Sequence, residues 1–240
     1  MQKPIRALLL AAGFGTRLRP LTLNTPKCLV KINKKPLLEY WLNKLEDIGV
    51  ESILINTHYL AEKVNYFLDS HHYKNIKIKR FHEDKLLGTA GTLIKNSEFF
   101  YNSVGIMIHS DNFTYMKLTD LLEAHQNRPK SCLITMLTFS SNNPKSCGIV
   151  ELDNKGVVQA FHEKKINPPG NIANGAIYIF DNDFLDWLKK NHPHAKDFSL
   201  EVLPFLMGKI FTYHTTISYI DIGTINALKE ARSIKNKHLK

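Results

Sequence analysis

The sequence predicts an α/β fold in which a mostly parallel sheet is covered by helices on both faces, a three-layer α/β/α arrangement. Short β-branched or Leu-rich runs alternate with segments of helical period up to about residue 130, the pattern of repeated βαβ units. Some of these runs are apolar throughout, as strands buried on both faces must be. After Cys132 strands follow strands, so the sheet is expected to be mixed.

Ile5 to Leu10 forms the first strand and runs into a Gly-rich loop. In Leu37 to Ile48 the apolar residues fall at 37, 38, 41, 42, 45 and 48, one face of a helix, and Gly49 stops it. Strand Ser52 to Asn56, helix Ala61 to Leu68 and strand Ile76 to Phe81 follow, then a helix beginning near Thr89. Val104 to Ile108 reads as a buried strand and Leu118 to His125 as the helix behind it. Beyond Cys132 come strands Leu133 to Phe139, Gly148 to Leu152 and Val157 to His162, with Asp153-Asn-Lys-Gly156 supplying hairpin chemistry between the last two. Helices near Asp183 to Lys190 and Ser199 to Leu206, strands ending at Ile220 and a final helix from Thr224 complete the pattern. One domain over residues 1–240 is expected, with halves meeting near residue 130, no internal repeat, and no hexapeptide run that would add a C-terminal β-helix domain.

At 240 residues, with 43% apolar and 22% charged, the chain can bury roughly seven-tenths of its unfolded surface, so neither disulfides nor a structural metal are needed. Cys28, Cys132 and Cys147 form no CxxC pair and join no His/Cys cluster, which argues against zinc and fits a reducing, cytoplasmic setting. His71-His72 and His192/His194 read as surface residues. The apolar run behind Lys3 and Arg6 is short and meets Arg17 and Arg19, so it is a strand rather than a secretory leader. No stretch approaches the roughly 20 apolar residues that span a bilayer, and no membrane partner is expected. The net charge of +10 raises nucleic-acid binding as a reading, but the excess lies in scattered lysines and in the segment Lys229 to Lys240. Without an aromatic-and-basic stripe, a solvated helix face accounts for it and no nucleic-acid partner is expected.

The segment with the most chemistry is Leu8-Leu-Leu10-Ala11-Ala12-Gly13-Phe-Gly15-Thr16-Arg17-Leu-Arg-Pro20-Leu-Thr22, followed by Pro26-Lys27. A glycine-rich turn directly after a first strand lets backbone N–H groups approach phosphates, and Arg17 and Lys27 add the cations that a triphosphate requires. Open α/β sheets bind ligands at this end of their strands. The dinucleotide fingerprint fails because Leu18 stands where its third glycine belongs, and no GxxxxGK[ST] loop exists. A carboxylate closes each of two apolar strands: Asp111 after Ile106-Met-Ile108, and Asp221 after Ile217 to Ile220. Two converging carboxylates suit Mg²⁺, although either alone would serve equally as a cap. Gly88-Thr89 before a helix is either a base pocket or an ordinary helix entry, and His58 and Tyr59 either line the same face or pack. Glu163-Lys164, with Gly148 and Asn174, reads by spacing alone as a solvated ion pair.

The stretch Gly13 to Thr22 through Pro26-Lys27 resembles the signature of the sugar-phosphate nucleotidylyltransferases. The resemblance continues through Leu87-Gly-Thr-Ala-Gly91, Cys147-Gly-Ile-Val150, Phe161-His-Glu-Lys164, Asn174-Gly-Ala-Ile-Tyr178 and Tyr219-Ile-Asp-Ile-Gly-Thr224, nearly the whole chain. It implies a Rossmann-like three-layer fold of the nucleotide-diphospho-sugar transferase type. The implied activity moves a nucleoside monophosphate from a nucleoside triphosphate to a sugar 1-phosphate, with Mg²⁺ as cofactor and pyrophosphate as product. By the same resemblance Arg17, Lys27 and Lys164 are catalytic, and Asp111 and Asp221 hold the metal. Leu10, Ala11, Ala12, Gly13, Gly15, Thr16, Arg17, Lys27, Gly88, Thr89 and Asp111 would bind the nucleotide; Gly148, Glu163, Lys164 and Asn174 would bind the sugar phosphate.

Short chains of this kind resemble guanylyltransferases for mannose- or heptose-type phosphates and uridylyltransferases for amino-sugar phosphates; GTP is favoured. Dimers are common among such enzymes, so a homodimer is an expectation. One alternative is a cytidylyltransferase with an acceptor such as phosphocholine, against which Glu163-Lys164 speaks. Another is a catalytically silent subunit that binds nucleotide sugar. The feature behind that second alternative is Ser110, which stands where the family has glycine before its aspartate and is expected to alter backbone approach to the sugar or metal.

Overall fold

Successive residues of the first strand point to different cores, which is why Ala7 to Leu10 is apolar throughout. Ala7 and Leu9 enter one hydrophobic cluster and Leu8 another, all three without exposed surface. The computed structural model describes residues 3–71, 73 and 75–234; His72 and residues 235–240 of the basic C-terminal segment lie outside them.

In chain order the strands are β1 (Ile5–Leu10), β2 (Lys31–Ile32), β3 (Lys35–Pro36), β4 (Ser52–Thr57), β5 (Lys77–His82), β6 (Val104–His109), β7 (Asn112–Thr114), β8 (Ile134–Ser140), β9 (Gly148–Leu152), β10 (Val158–Glu163), β11 (Ile172–Phe180), β12 (Ile210–Thr215) and β13 (Tyr219–Asp221). The helices are α1 (Leu37–Asp47), α2 (Ala61–Asp69), α3 (Gly88–Lys95), α4 (Leu118–Gln126), α5 (Asn182–Asn191), α6 (Phe198–Glu201) and α7 (Ile225–Ser233).

The main sheet runs β5-β4-β1-β6-β11-β8-β12, and the β9–β10 hairpin joins the first half of β11. Strands β5, β4, β1 and β6 are mutually parallel, as βαβ connections require. β11 runs antiparallel to both β6 and β8, so the sheet is mixed but mostly parallel, as expected. One face carries Ile53, Ile55, Ile106 and Ile108 against Trp41 and Leu45 of α1, Val64 and Phe67 of α2 and Leu121 of α4. The opposite face carries Leu54, Met107, Tyr178 and Phe180 against Leu93 of α3, Phe184 of α5 and Phe198 of α6. A third, smaller cluster of Leu18, Val30, Ile32, Phe113, Ile220, Ile222 and Leu228 lies under the loop that follows β1.

The predicted elements recur, the short strands β2, β3 and β7 are additional to them, and two larger departures stand out. β11 is a nine-residue strand. It has no regular alternation because Gly175 and Ala176, the latter at φ +53°, kink it where Asn174 sits. The predicted helix Ser199 to Leu206 breaks into α6 and a 3₁₀ turn over Leu203–Leu206, because Pro204 cannot donate into the α6 ladder. Elsewhere local chemistry acts as read: Gly49 at φ +70° ends α1, and the Thr224 side chain caps α7 by accepting from Ala227 N–H at 3.2 Å. The Asp153 carboxylate ties the β9–β10 turn by accepting from Lys155 and Val157 N–H at 2.8 and 2.9 Å. Among the described residues no helix is long and apolar enough to cross a membrane.

Candidate active site

β1, β4 and β6 end together, with Leu10 paired to Asn56 on one side and to His109 on the other. Their carboxyl ends open into a cavity of about 240 Å³. Leu10, Ala11, Ala12, Gly13, Lys27, Gly88, Thr89 and Asp111 line it, together with Asn56, Glu83, His109 and Ser110, none of which the sequence singled out as ligand contacts. Gly15 adopts φ +62°, a conformation that a side chain resists, and a Cβ there would meet Thr22 at 3.0 Å. Its carbonyl accepts from Leu18 N–H at 3.0 Å and from the Thr22 hydroxyl at 2.7 Å. The 3₁₀ turn Thr16–Leu18 that follows buries Leu18 and turns Arg17 outward, with 66% of its side chain exposed.

Arg17 meets the carboxylate pair from outside and Lys27 from inside. β7 and β13 pair antiparallel with Asp221 opposite Asn112, and Ile222 N–H donates to the Asp111 carbonyl at 2.9 Å. This strand pair brings together two carboxylates far apart in sequence. Lys27 Nζ lies 2.5 Å from Asp111 Oδ2 and 3.6 Å from Asp221 Oδ1; Arg17 Nη2 lies 3.7 Å from Asp221 Oδ2. Gly223 makes the Arg17 approach sterically open, since a Cβ there would stand 2.8 Å from its guanidinium. Burial pushes the Asp111 carboxyl up, but Lys27, by charge and hydrogen bond, and His109 hold it below its ordinary value. Asp221 is held above its ordinary value by desolvation in the cleft and by the charge of Asp111. Burial pushes the neighbouring Cys28 thiol up to about 12, so it is a packed side chain rather than a nucleophile.

Among the described residues no group of three or more His, Cys, Asp or Glu side chains gathers as a complete metal cage. Two hard carboxylates held together against their mutual repulsion nevertheless fit a magnesium ion that takes its other ligands from phosphates and water.

Gly148, Glu163, Lys164 and Asn174 stand together at the bend of the sheet, outside the cavity lining. Lys164 Nζ lies 3.1 Å from Glu163 Oε1, and a Cβ on Gly148 would come within 2.6 Å of the Phe161 ring and 2.7 Å of the Glu163 carboxylate. Asn174 donates to the Tyr178 hydroxyl at 2.7 Å and accepts from Ala176 N–H at 2.8 Å, which fixes its amide. The neighbouring Gly175 carbonyl accepts from Asn112 Nδ2 at 3.3 Å and from the Tyr219 hydroxyl, so this set is tied to β7, which follows Asp111, and to β13, which ends in Asp221.

Thr89 lines the cavity, yet its hydroxyl accepts from Phe198 N–H at 2.8 Å, and Ala90 N–H donates to the Lys196 carbonyl at 2.9 Å. The start of α3 is thus partly satisfied by protein. His58 and Tyr59 brace the loops, His58 Nδ1 at 2.7 Å from the Glu83 carbonyl and the Tyr59 hydroxyl donating to Thr22 O at 2.9 Å. Ser110 takes an ordinary backbone conformation, and its hydroxyl turns away to donate to Leu10 O at 2.7 Å. Glycine is therefore not required by the backbone at this position.

A Rossmann-like sheet with a glycine-rich loop after β1 and a carboxylate pair beside it matches the nucleotide-diphospho-sugar transferase fold. A putative glucose-1-phosphate thymidylyltransferase from Bacillus anthracis shares that fold, with a TM-score of 0.84 over 96% of each chain at 23% identity. The HddC protein of Yersinia pseudotuberculosis superposes with a TM-score of 0.76 over 95% of this chain and 97% of its own, at 25% identity. The nucleotidyl transferase family model matches residues 6–237, and the chain belongs to that family. It is 32% identical over 228 residues to the mannose-1-phosphate guanylyltransferase catalytic subunit beta of Drosophila melanogaster, covering 91% of this chain and 59% of that one. It is 27% identical over 256 residues to a UTP–glucose-1-phosphate uridylyltransferase of Synechocystis, covering 98% of this chain and 65% of that one. The chain thus spans about half to two-thirds of the length of the curated relatives it matches.

Proposed function

We propose that the chain transfers a nucleoside monophosphate from a nucleoside triphosphate to a sugar 1-phosphate and releases pyrophosphate. The observation that carries this reading is the placement of Lys27 between Asp111 and Asp221 at the mouth of the loop cavity, with Arg17 on the far side. Family membership and the names of its relatives support it; the guanylyltransferases among them favour GTP with a mannose-, heptose- or amino-sugar-type phosphate.

The attacking phosphate oxygen is already ionised, so the protein has to position and neutralise rather than remove a proton. Backbone N–H groups of Gly13 to Thr16 would cradle the triphosphate, and Arg17 would hold the departing β,γ-phosphates. Lys27 would turn from its carboxylates to the α-phosphate, where charge develops during in-line attack. Lys164, steadied by Glu163, would draw in the phosphate of the acceptor while Asn174 and Glu163 meet its hydroxyls. Asp111 and Asp221 are the residues that would hold Mg²⁺, which supplies charge neutralisation to the phosphates when bound. A reducing, cytoplasmic setting suits the three unpaired cysteines.

The test is a matrix of the four nucleoside triphosphates against mannose, glucose, heptose and amino-sugar 1-phosphates, read by pyrophosphate release. Turnover with GTP and one of these acceptors is expected. Absence of turnover with every pair would sink the reading.

A further inference from the structure

The cavity wall contains a carboxylate to which the mechanism above gives no part. Glu83 follows β5, is 3% exposed, and pairs with no cation among the described residues. A buried carboxylate without a counter-ion has to be satisfied by hydrogen-bond donors, and here the donors come from both sides of the cavity. Oε1 accepts from Asn56 Nδ2 at 2.9 Å and from the Thr92 hydroxyl at 2.6 Å; Oε2 accepts from Leu87 N–H at 2.9 Å. Asn56, 4% exposed, uses its other end to accept from Ala11 N–H at 2.6 Å. The Glu83 backbone is clamped as well, its N–H donating to Thr57 O at 2.9 Å.

These contacts form one relay, Ala11 to Asn56 to Glu83 to Leu87, with a fixed polarity. Ala11 can only donate, so the Asn56 carbonyl must face it and the Asn56 amide nitrogen must face residue 83. Leu87 N–H also donates, so residue 83 has to accept at both of its ends, which a carboxylate does and a glutamine does not. We propose that Glu83 and Asn56 are a positioning pair that sets the distance between the phosphate-binding loop at Ala11 and the wall of the cavity at Leu87 and Gly88. The pair acts through those two backbone segments on the triphosphate, and not on the sugar phosphate held at the bend of β11. This inference rests on the transferase reading above.

The polarity supplies its own test. Glu83→Gln must oppose a donor to a donor at one end, whereas Asn56→Asp combined with Glu83→Gln reverses the central bond; the Thr92 hydroxyl, 2.8 Å from Gly88 O, then donates there and accepts from the new amide, so every group is satisfied again. In the reversed pair the new amide nitrogen at position 83 donates to the new carboxylate at position 56, while the amide oxygen at position 83 still accepts from Leu87. Binding of fluorescent mant-GTP and mant-UTP would be measured alongside steady-state kinetics on the pair of substrates that the wild-type chain turns over fastest. E83Q is expected to raise the KM and Kd for the triphosphate at least tenfold, with the KM for the sugar 1-phosphate within twofold. The N56D/E83Q double variant is expected to return to within threefold of wild type. A double variant no better than the single, or an E83Q effect equal on both substrates and proportional to lost thermal stability, overturns the proposal. Should E83Q fail to fold, the double variant decides: folded with near wild-type triphosphate affinity it supports the pair, otherwise it refutes it. A wild-type chain that binds neither nucleotide overturns the functional reading itself, whereas tight wild-type binding with unaffected variants overturns this inference alone.

Discussion

Lys27 stands between Asp111 and Asp221, 2.5 Å from the first carboxylate and 3.6 Å from the second, with only 12% of its side chain exposed. A tethered ammonium therefore occupies the electrostatic position that a divalent cation would also seek, and on the proposed mechanism the two would compete until phosphates drew the lysine away. Manganese titrated into the nucleotide-free chain should bind weakly, and more tightly once GTP is present. Lys27→Met should tighten nucleotide-free manganese binding about tenfold, roughly 1.4 kcal/mol, while lowering turnover. Electron paramagnetic resonance of free manganese reads this directly; K27M binding no tighter than wild type would exclude competition.

Asp111 and Arg17 test the chemistry more simply. Asp111→Asn removes one of the two carboxylates, and Arg17→Ala removes the exposed cation expected on the leaving phosphates. Each should lower turnover by roughly 10²–10³ with little change in Tm, since neither side chain builds the core. Near-normal pyrophosphate release from either variant would remove that residue from the mechanism.

How far this site was legible depended on where its contacts lie in sequence. The loop from Gly13 to Lys27 announces itself, because glycines, cations and a preceding apolar strand fall within one short segment. Asp111 and Asp221 were visible as strand ends, but only the β7–β13 pairing shows that they meet. Glu83 and Asn56 were not visible: each looks like an ordinary polar residue at the end of a strand, and their meaning lies in contacts to Ala11 and Leu87 across the cavity. The sequence pattern conceals β11 for a related reason. Its kink at Gly175 and Ala176 breaks the strand period at the place where Asn174 is presented.

Ser110 gives a third prediction. Its hydroxyl donates to Leu10 O at 2.7 Å, joining the ends of β6 and β1, and its backbone needs no glycine. Ser110→Gly should lose a bond of about 1 kcal/mol and add chain entropy in the unfolded state, lowering Tm by roughly 3–6 °C. Turnover should stay within about threefold of wild type. A large gain in activity would show that the serine obstructs the site after all.

Gly148 gives a fourth, aimed at the acceptor half. A Cβ there would press within 2.7 Å of Glu163 Oε2 and 2.6 Å of the Phe161 ring, so Gly148→Ala must displace one or both. Displacing Glu163 by even part of an ångström should raise the KM for the sugar 1-phosphate roughly tenfold to a hundredfold. The KM for the triphosphate should be unchanged, because Gly148, Phe161 and Glu163 lie outside the lining of the cavity after β1. Equal effects on both substrates would argue for general distortion of the hairpin.

At the opposite end of the sheet a partly buried cluster of Lys3, His125, Arg128 and Asp181 is expected to set a response to acid. Arg128 Nη2 lies 2.7 Å from Asp181 Oδ2, His125 Nε2 lies 3.5 Å from the same oxygen, and His125 Nδ1 lies 2.9 Å from the Thr135 hydroxyl. Burial holds the His125 imidazole below its ordinary value despite the pull of Asp181. His125 and Arg128 hold the Asp181 carboxyl well below the carboxylate range. Both groups are thus more acidic folded than unfolded, and the unfolded chain takes up more protons as pH falls. The stability they contribute is complete above pH of about 6.5, the unfolded value of histidine, and is lost as pH drops through the folded value of His125. Asp181 adds a further loss at still lower pH, beginning near the unfolded aspartate value of about 3.9. Tm should therefore fall between pH 7 and pH 5, and His125→Gln should flatten that slope while lowering Tm at pH 8. Differential scanning fluorimetry across this range decides it: parallel curves for H125Q and wild type would assign the acid sensitivity to other groups.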